Sequence, residues 1–543
     1  MPAPATEVRG AEWLPDGGCV ILRAGSGRPR FVVGDREDPT ARRITDLAWR
    51  ADGVGVRDEF LSVWSTSRGV RPRRLTPADT EVVDAVGVAS RGRILFLADR
   101  RPTAGLMEIP QIWSVTTGGA RLRIEADPPG GAWALGPERT GRVPFVGGMW
   151  AGAPLWGTWG LYILEGREVR RLGAQLDRSV VVATYGDLID PEAEMRRPLW
   201  IDDERIVALV SDRGRVIPFE FGLDGSARPL VRGDIVCTAV QVAAGRVVVV
   251  ANEQGNAAEL YEVDAGKLRR VSQHGSRWLV PFRVDPQPVE VTRAGASAMD
   301  AWVVPAQRGS RSSPGPTVVQ IHGGPYSSHG PVLWLEMLAL ADAGITTLFA
   351  NPRGSAGYGE AFAHSIVGRW GGPDGEDIDR LVNWAVEAGV ADPSRIGLLG
   401  LSYGGFLVLD LLSRHPNRFA AGVCENPVSD LVGFFASSDI GWFAGDRGAG
   451  LELPPVDPAP WLERSPWCRL HKVEVPLLLL QSEGDLRCPP GQTDLAFAIL
   501  RSLERRVEMV RYPQEPHYMV GVGRPDRRVD RIRRIVDWFT GYL

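Results

Sequence analysis

Ile396-Gly397-Leu398-Leu399-Gly400-Leu401-Ser402-Tyr403-Gly404-Gly405-Phe406 is the stretch that decides the fold. Ile396 to Leu399 reads as a buried strand, and Phe406 to Leu412 as an apolar helix. Between them Gly400-Leu401-Ser402-Tyr403-Gly404 matches G-x-S-x-G. The motif alone is weak, because Gly and Ser are common. Set between a strand and a helix, it describes a sharp turn that holds a serine hydroxyl out at a helix N-terminus. Its glycines let strand and helix approach closely. Ser402 is therefore the candidate nucleophile, and a plain Gly-Ser turn is the competing reading.

A serine hydroxyl is a weak nucleophile until a base takes its proton. In a strand–turn–helix hydrolase the partners follow in the order Ser, Asp or Glu, His. Past the helix after Ser402, the histidines are His471 and His517. His471 lies in a polar stretch before the apolar run at Pro476, with Glu474 the only candidate acid between them. His517 follows the strand pattern Val507 to Tyr512, in the loop Gln514-Glu515-Pro516-His517, and is the candidate base. Asp485 directly follows the run Leu477 to Gln481 and is the candidate acid, with Glu483 as the fallback. Strand ends of a parallel sheet open on one edge, so the three side chains can converge. The attacked carbonyl gathers negative charge and needs fixed donors. The backbone N–H of Tyr403 is one candidate. The loop His322-Gly323-Gly324-Pro325, after the strand Thr317 to Ile321, offers another.

Working outward, strands alternate with helical stretches from about Val289 to the C-terminus, which predicts a mostly parallel sheet. Thr346 to Ala350 and Pro476 to Leu480 are further buried strands. Asp374 to Ala388 is a helix with Ile378, Leu381, Val382 and Ala385 on one face. The chain ends in an amphipathic helix with Val529, Ile532, Ile535, Val536 and Phe539 at helical spacing. Arg308 to Pro316, rich in Ser and Pro, reads as a surface loop.

From about Ala11 to Val280 the pattern is different. Short β-branched runs such as Arg93 to Leu97, Leu161 to Leu164, Arg205 to Val210 and Arg246 to Val250 are separated by turn signals such as Asp16-Gly17-Gly18 and Asp224-Gly225. This predicts many short antiparallel strands. A loose repeat aligns Ile94…Gln111-Ile112-Trp113 with Ile206…Pro218-Phe219-Glu220 and Val247…Glu259-Leu260-Tyr261; Ile206 and Val247 stand 41 residues apart. A four-stranded propeller blade takes roughly 40–50 residues, so this half would hold about six or seven blades. An irregular β-sandwich pair is the competing reading. The expected architecture is thus a β-propeller over 1–283 and an α/β-hydrolase domain over 284–543.

Composition fits this plan. The 543 residues suit more than one domain, with 44% hydrophobic and 24% charged residues. The net charge is −4, and arginines are interspersed with acids, so no nucleic-acid partner is expected. Cys19, Cys237, Cys424, Cys468 and Cys488 form no CxxC pair, which argues against a disulfide framework and a zinc site. The first ten residues carry no signal-peptide pattern, and the apolar runs are too short for a bilayer. A cytoplasmic enzyme without cofactor, metal or membrane partner is expected, and a homo-oligomer stays open.

These motifs together resemble the prolyl oligopeptidase family of serine peptidases, most of all its acylaminoacyl peptidase branch. The resemblance runs from about Gln320 to Leu543. It includes His322-Gly323-Gly324-Pro325, Asn351-Pro352-Arg353-Gly354-Ser355, Trp370-Gly371-Gly372-Pro373-Asp374, the stretch around Ser402, Ser438-Asp439-Ile440-Gly441 and Gly484-Asp485-Leu486-Arg487-Cys488-Pro489. It implies an N-terminal propeller on a hydrolase domain, an oxyanion N–H from Gly324, and Arg487 as the arginine that holds a carbonyl of the peptide. One departure stands out. Where the family has a small residue and glycine around its histidine, this chain has Pro516-His517-Tyr518, so Tyr518 could narrow the site.

The implied reaction is two-step acyl transfer on short peptides. Phe434, Phe435, Trp442 and Phe443 are candidates for an apolar substrate pocket, with a core role as the competing reading. Two other functions stay open: an esterase, amidase or acyl transferase acting on a small specialised metabolite, and a non-catalytic propeller interaction protein.

Overall fold

A computed structural model describes residues 8–543 apart from 14–18, 26–49, 102–108, 149–156, 188–195, 276–283, 308–313, 444–448, 452–456 and several breaks of one to four residues. The expected division at 283/284 and most of the loop from Arg308 to Pro316 lie outside the described residues.

The C-terminal half is built on one eight-stranded sheet. Its strands are numbered β1 (Gln287–Arg293), β2 (Ala296–Val304), β3 (Gly315–Ile321), β4 (Thr346–Ala350), β5 (Ala391–Leu401), β6 (Ala421–Glu425), β7 (Leu477–Ser482) and β8 (Val507–Tyr512). Their order across the sheet is β1-β2-β4-β3-β5-β6-β7-β8. β2 is antiparallel to β1 and β4, and the remaining pairings are parallel. Parallel strands covered on both faces need apolar residues at every position rather than at alternate ones. All of β6 and β7 is buried accordingly.

Helices cover both faces. They include α1 (Leu335–Asp342), α2 (Pro373–Glu387), α3 (Tyr403–Arg414), α4 (Leu431–Ser437), α5 (Gly491–Ser502) and α6 (Pro525–Tyr542). α2 starts on a proline with Asp374 and Glu376 in its first turn, which suits a helix N-terminus. In α6 the buried stripe is Arg531, Ile535, Trp538 and Phe539, whereas Val529 is 67% exposed. The stripe is rotated from the apolar spacing because Arg531 turns inward, between Glu336 of α1 and Glu425 at the end of β6.

The N-terminal half forms antiparallel meanders of four short strands. Five lie among the described residues, where length suggests about six or seven. They run from Val8 to Arg74, Asp84 to Ala126, Ala132 to Leu172, Leu199 to Pro229 and Ile235 to Arg270. The last two are linked by a single parallel pairing, Val216 with Val236. Some length goes into insertions within a meander. The hairpin Arg50–Ala51 and Gly55–Val56 sits between the second and third strands of the first one. The three repeat copies read from the sequence fall on the second and third strands of the second, fourth and fifth meanders.

One apolar core joins the two halves. It runs from Val207, Phe219 and Val236 to Trp302, Phe349 and Trp334 beside the C-terminal sheet. The C-terminal ends of β3, β5, β7 and β8 therefore face the meanders. Among the described residues no helix is long and apolar enough to cross a membrane.

Candidate active site

The chain leaves β5 at Leu401, and Ser402 adopts φ 61°, ψ −121° before α3 starts. A serine at positive φ is strained, and only close surroundings hold it there. The glycines supply that closeness. A Cβ on Gly404 would lie 2.2 Å from the Ile321 carbonyl oxygen, and one on Gly400 would lie 2.3 Å from that of Gly404. The Ser402 N–H donates to the Glu425 carbonyl (2.9 Å), and the Ser402 carbonyl accepts from the Phe406 N–H (3.0 Å).

Asp485 and His517 stand at the ends of β7 and β8. His517 Nδ1 lies 2.7 Å from Asp485 Oδ2. Asp485 is fully buried, and its Oδ1 accepts the Cys488 N–H at 2.7 Å. This leaves the far side of the imidazole, Nε2, toward the cavity that His517 and Ser402 both line, a space of about 490 Å³. Among the described residues no hydrogen bond joins Ser402 to His517. In free enzymes such bonds are often long and tighten when substrate binds. Burial alone would make the His517 imidazolium harder to form, but the charge and hydrogen bond of Asp485, with the charge of Asp52, outweigh it. The ring therefore titrates above its ordinary value. Glu483 faces solvent and pairs with Arg511 at 3.3 Å, and His471 is exposed, so neither belongs to this cluster.

Gly323 and Gly324 line the same cavity, and a Cβ on Gly323 would stand 3.3 Å from Ser402 Cβ. His322 anchors their loop through Ser355 Oγ (2.9 Å) and the Gly323 carbonyl (2.8 Å). Burial pushes His322 down to about 4, so this ring is neutral and structural. The Tyr403 side chain stacks on Phe406 and bonds to Asp374, which fixes the first turn of α3.

Of the apolar candidates, Phe434 lines the cavity. Phe435 turns from it and packs edge-on against Trp461 (5.6 Å), since adjacent helical residues point about 100° apart. Trp442 is half-buried and does not line the cavity, and the Phe443 side chain is outside the described residues. Arg487 lines the cavity, with Nε and Nη2 held by Asp439 at 2.8 and 3.2 Å. Burial would raise Asp439, but Arg487 and the Asp52 N–H hold it below its ordinary value. Tyr518 also lines the cavity and donates to the Gly186 carbonyl (3.1 Å), bridging to the N-terminal half.

The sequence reading missed several lining groups. Cys488 Sγ lies 3.8 Å from Ser402 Oγ, and burial keeps its thiol protonated. Trp133 and Trp159, in edge-to-face contact at 5.5 Å, and Asp52 reach in from the N-terminal half. Cys488 could have been found from its place three residues after Asp485. The other three lie in the degenerate half, where no motif marks them.

Residues 332–543 match the family model described as the prolyl oligopeptidase family. That segment is similar to the prolyl oligopeptidase family. An uncharacterized peptidase of Bacillus subtilis, YuxL, is 28% identical over 390 residues, covering 70% of this chain and 59% of the relative. The acylamino-acid-releasing enzyme of Arabidopsis thaliana is 33% identical over 236 residues, covering 42% of this chain and 30% of the relative. The chain thus spans only 59% and 30% of the length of these two relatives. An acylaminoacyl peptidase of Pyrococcus horikoshii superposes with a TM-score of 0.84 at 22% identity, over 99% of this chain and 82% of that one. Its likeness concerns the fold, a β-propeller type of N-terminal half on an α/β hydrolase. The matched segment contains Ser402, Asp485 and His517, and starts just after the His322 loop.

Proposed function

We propose that the chain is a serine peptidase that hydrolyses short peptides, acylaminoacyl or oligopeptide, through an acyl-enzyme. The observation that carries this is the Asp485–His517 contact of 2.7 Å opening on the cavity that also receives the strained Ser402. Asp485 fixes the Nδ1–H tautomer, so Nε2 is free to take the Ser402 proton. Ser402 Oγ attacks the carbonyl, and the oxyanion is met by the N–H groups of Tyr403 and Gly324. His517 then protonates the leaving amine, and water repeats the sequence to release the acid. Cys488, protonated beside Ser402, does not compete as nucleophile.

Arg487 is held by Asp439 through two of its nitrogens, which directs Nη1 to a substrate carbonyl. Phe434, Trp133 and Trp159 supply apolar walls. The meanders act as blades of a propeller that starts the chain and ends near 283, and they restrict entry to short or unfolded peptides. The names of the similar enzymes support an acylated amino-terminal residue as the preferred substrate.

A panel of acyl-amino-acid, dipeptidyl and prolyl chromogenic amides, with matched esters, tests the reading. Cleavage of acyl-amino-acid or short peptide amides is expected. Fast ester turnover with no amide cleavage would replace it with the esterase alternative.

A further inference from the structure

The hairpin Arg50–Ala51 and Gly55–Val56 carries Asp52 at its turn, and this residue of the N-terminal half hydrogen-bonds directly to His517 of the candidate triad. Its N–H donates to Asp439 Oδ2 at 2.9 Å. Its Oδ1 accepts the Leu486 N–H at 2.9 Å and the His517 N–H at 3.2 Å, and Oδ2 accepts the His517 N–H at 3.0 Å. One side chain thus ties the loop after β7 to the loop after β8, from 434 and 465 residues away in sequence. Those loops carry Asp485 and His517. Loop N–H groups shielded from water need acceptors, and a carboxylate is a strong one.

We propose that Asp52 is a positioning residue: it clamps the backbone of His517 to that of the Asp485 loop, so the N-terminal half completes the catalytic geometry. This rests on the serine-hydrolase reading above. The clamp is secured from the other side, because Asp439 receives the Asp52 N–H while it grips Arg487. The charged groups facing His517 are Asp485, Asp52 and Arg487, with Asp439 behind Arg487. Asp52 adds negative charge beside the imidazole and so favours its protonated form. Deprotonated His517 is the working base, so activity rises as pH climbs through the His517 titration. Removing the Asp52 charge therefore moves that rise to lower pH.

The test compares wild type, Asp52→Asn and Asp52→Ala in the full chain, measuring kcat and KM on a cleaved chromogenic substrate across pH. Thermal unfolding serves as the control for folding. Asp52→Ala, which loses every acceptor, lowers kcat by about 100-fold, the cost of a misplacement on the order of 1 Å. KM changes by less than about threefold, because uniform binding is untouched. Asp52→Asn keeps one acceptor oxygen, so its kcat lies between the other two. Its acidic limb in kcat/KM moves down by roughly half to one pH unit. A purely structural link between the halves would lower the unfolding temperature and leave the acidic limb in place, which overturns the proposal. So does wild-type kcat in Asp52→Ala. A wild type that neither turns over nor reacts with a fluorophosphonate overturns the hydrolase reading itself, and this inference with it.

Discussion

The two halves of the chain hold their structure in different ways. In the C-terminal half a single sheet runs through eight strands, and β7 is buried at all six positions. In the N-terminal half the last strand of each meander is largely exposed or half-buried. The strand Glu168–Leu172, for example, buries only Leu172. That half also carries exposed ion pairs such as Arg139 with Asp203, and such pairs contribute about 0–1 kcal/mol. The C-terminal half instead buries Arg531 between two carboxylates. A continuous sheet fixes where its strands end to within a residue, so three groups far apart in sequence can be set at one edge. The meanders offer a wall and a few loop residues to that edge.

The largest expected effect is on the C-terminal edge itself. Ser402→Ala should lower kcat by about 10⁴-fold or more while the protein stays folded, read by amide hydrolysis and circular dichroism. Breaking the buried charge network comes next. Arg531→Met leaves Glu336 and Glu425 buried without their partner and should cost about 3–5 kcal/mol in denaturant unfolding. Exchanging an exposed pair in the other half, as in Asp203→Asn, should change stability by less than about 1 kcal/mol. Equal costs for the two would erase the contrast between the halves.

Glycines sharpen it further. Gly404→Ala drives a methyl onto the Ile321 carbonyl and should destabilise by about 3 kcal/mol, with loss of the elbow. Gly166→Ala, at φ 66° in open space between two meander strands, costs only the left-handed conformation, about 1–2 kcal/mol. Smallest is the effect at the wall. Trp133→Ala should raise KM by about three- to tenfold for substrates with an aromatic side chain and leave kcat nearly unchanged.

What could be read from the sequence follows the same division. The strand–turn–helix at Ser402 and the place of Asp485 could be read because each follows the apolar run that a buried parallel strand requires, whereas His517 follows the half-exposed edge strand β8. The helix over α2 was legible from the spacing of Ile378, Leu381, Val382 and Ala385. The inward turn of Arg531 was not, since an arginine at a core position reads as a surface residue until Glu336 and Glu425 are seen beside it. Asp52 carried no signal at all. Its role depends on loops more than four hundred residues away meeting its carboxylate, and no local pattern records such a meeting. The number of blades is hard to read from length, because insertions such as the Asp52 hairpin use residues without adding strands to a sheet's main path.

The pH dependence connects the two halves. His517 titrates above its ordinary value of 6.5. The acidic limb of kcat/KM should therefore lie above 6.5, with activity lost as pH falls through it. A limb well below that value would mean that the carboxylates around the ring do not act on it as described.

The most direct measurement of the central claim is labelling with a fluorophosphonate, followed by peptide mass mapping. One adduct on Ser402 is expected in the wild type, none in Ser402→Ala, and labelling slowed by about 10³-fold or more in His517→Ala. An adduct on another serine, or undiminished labelling without the imidazole, would contradict it.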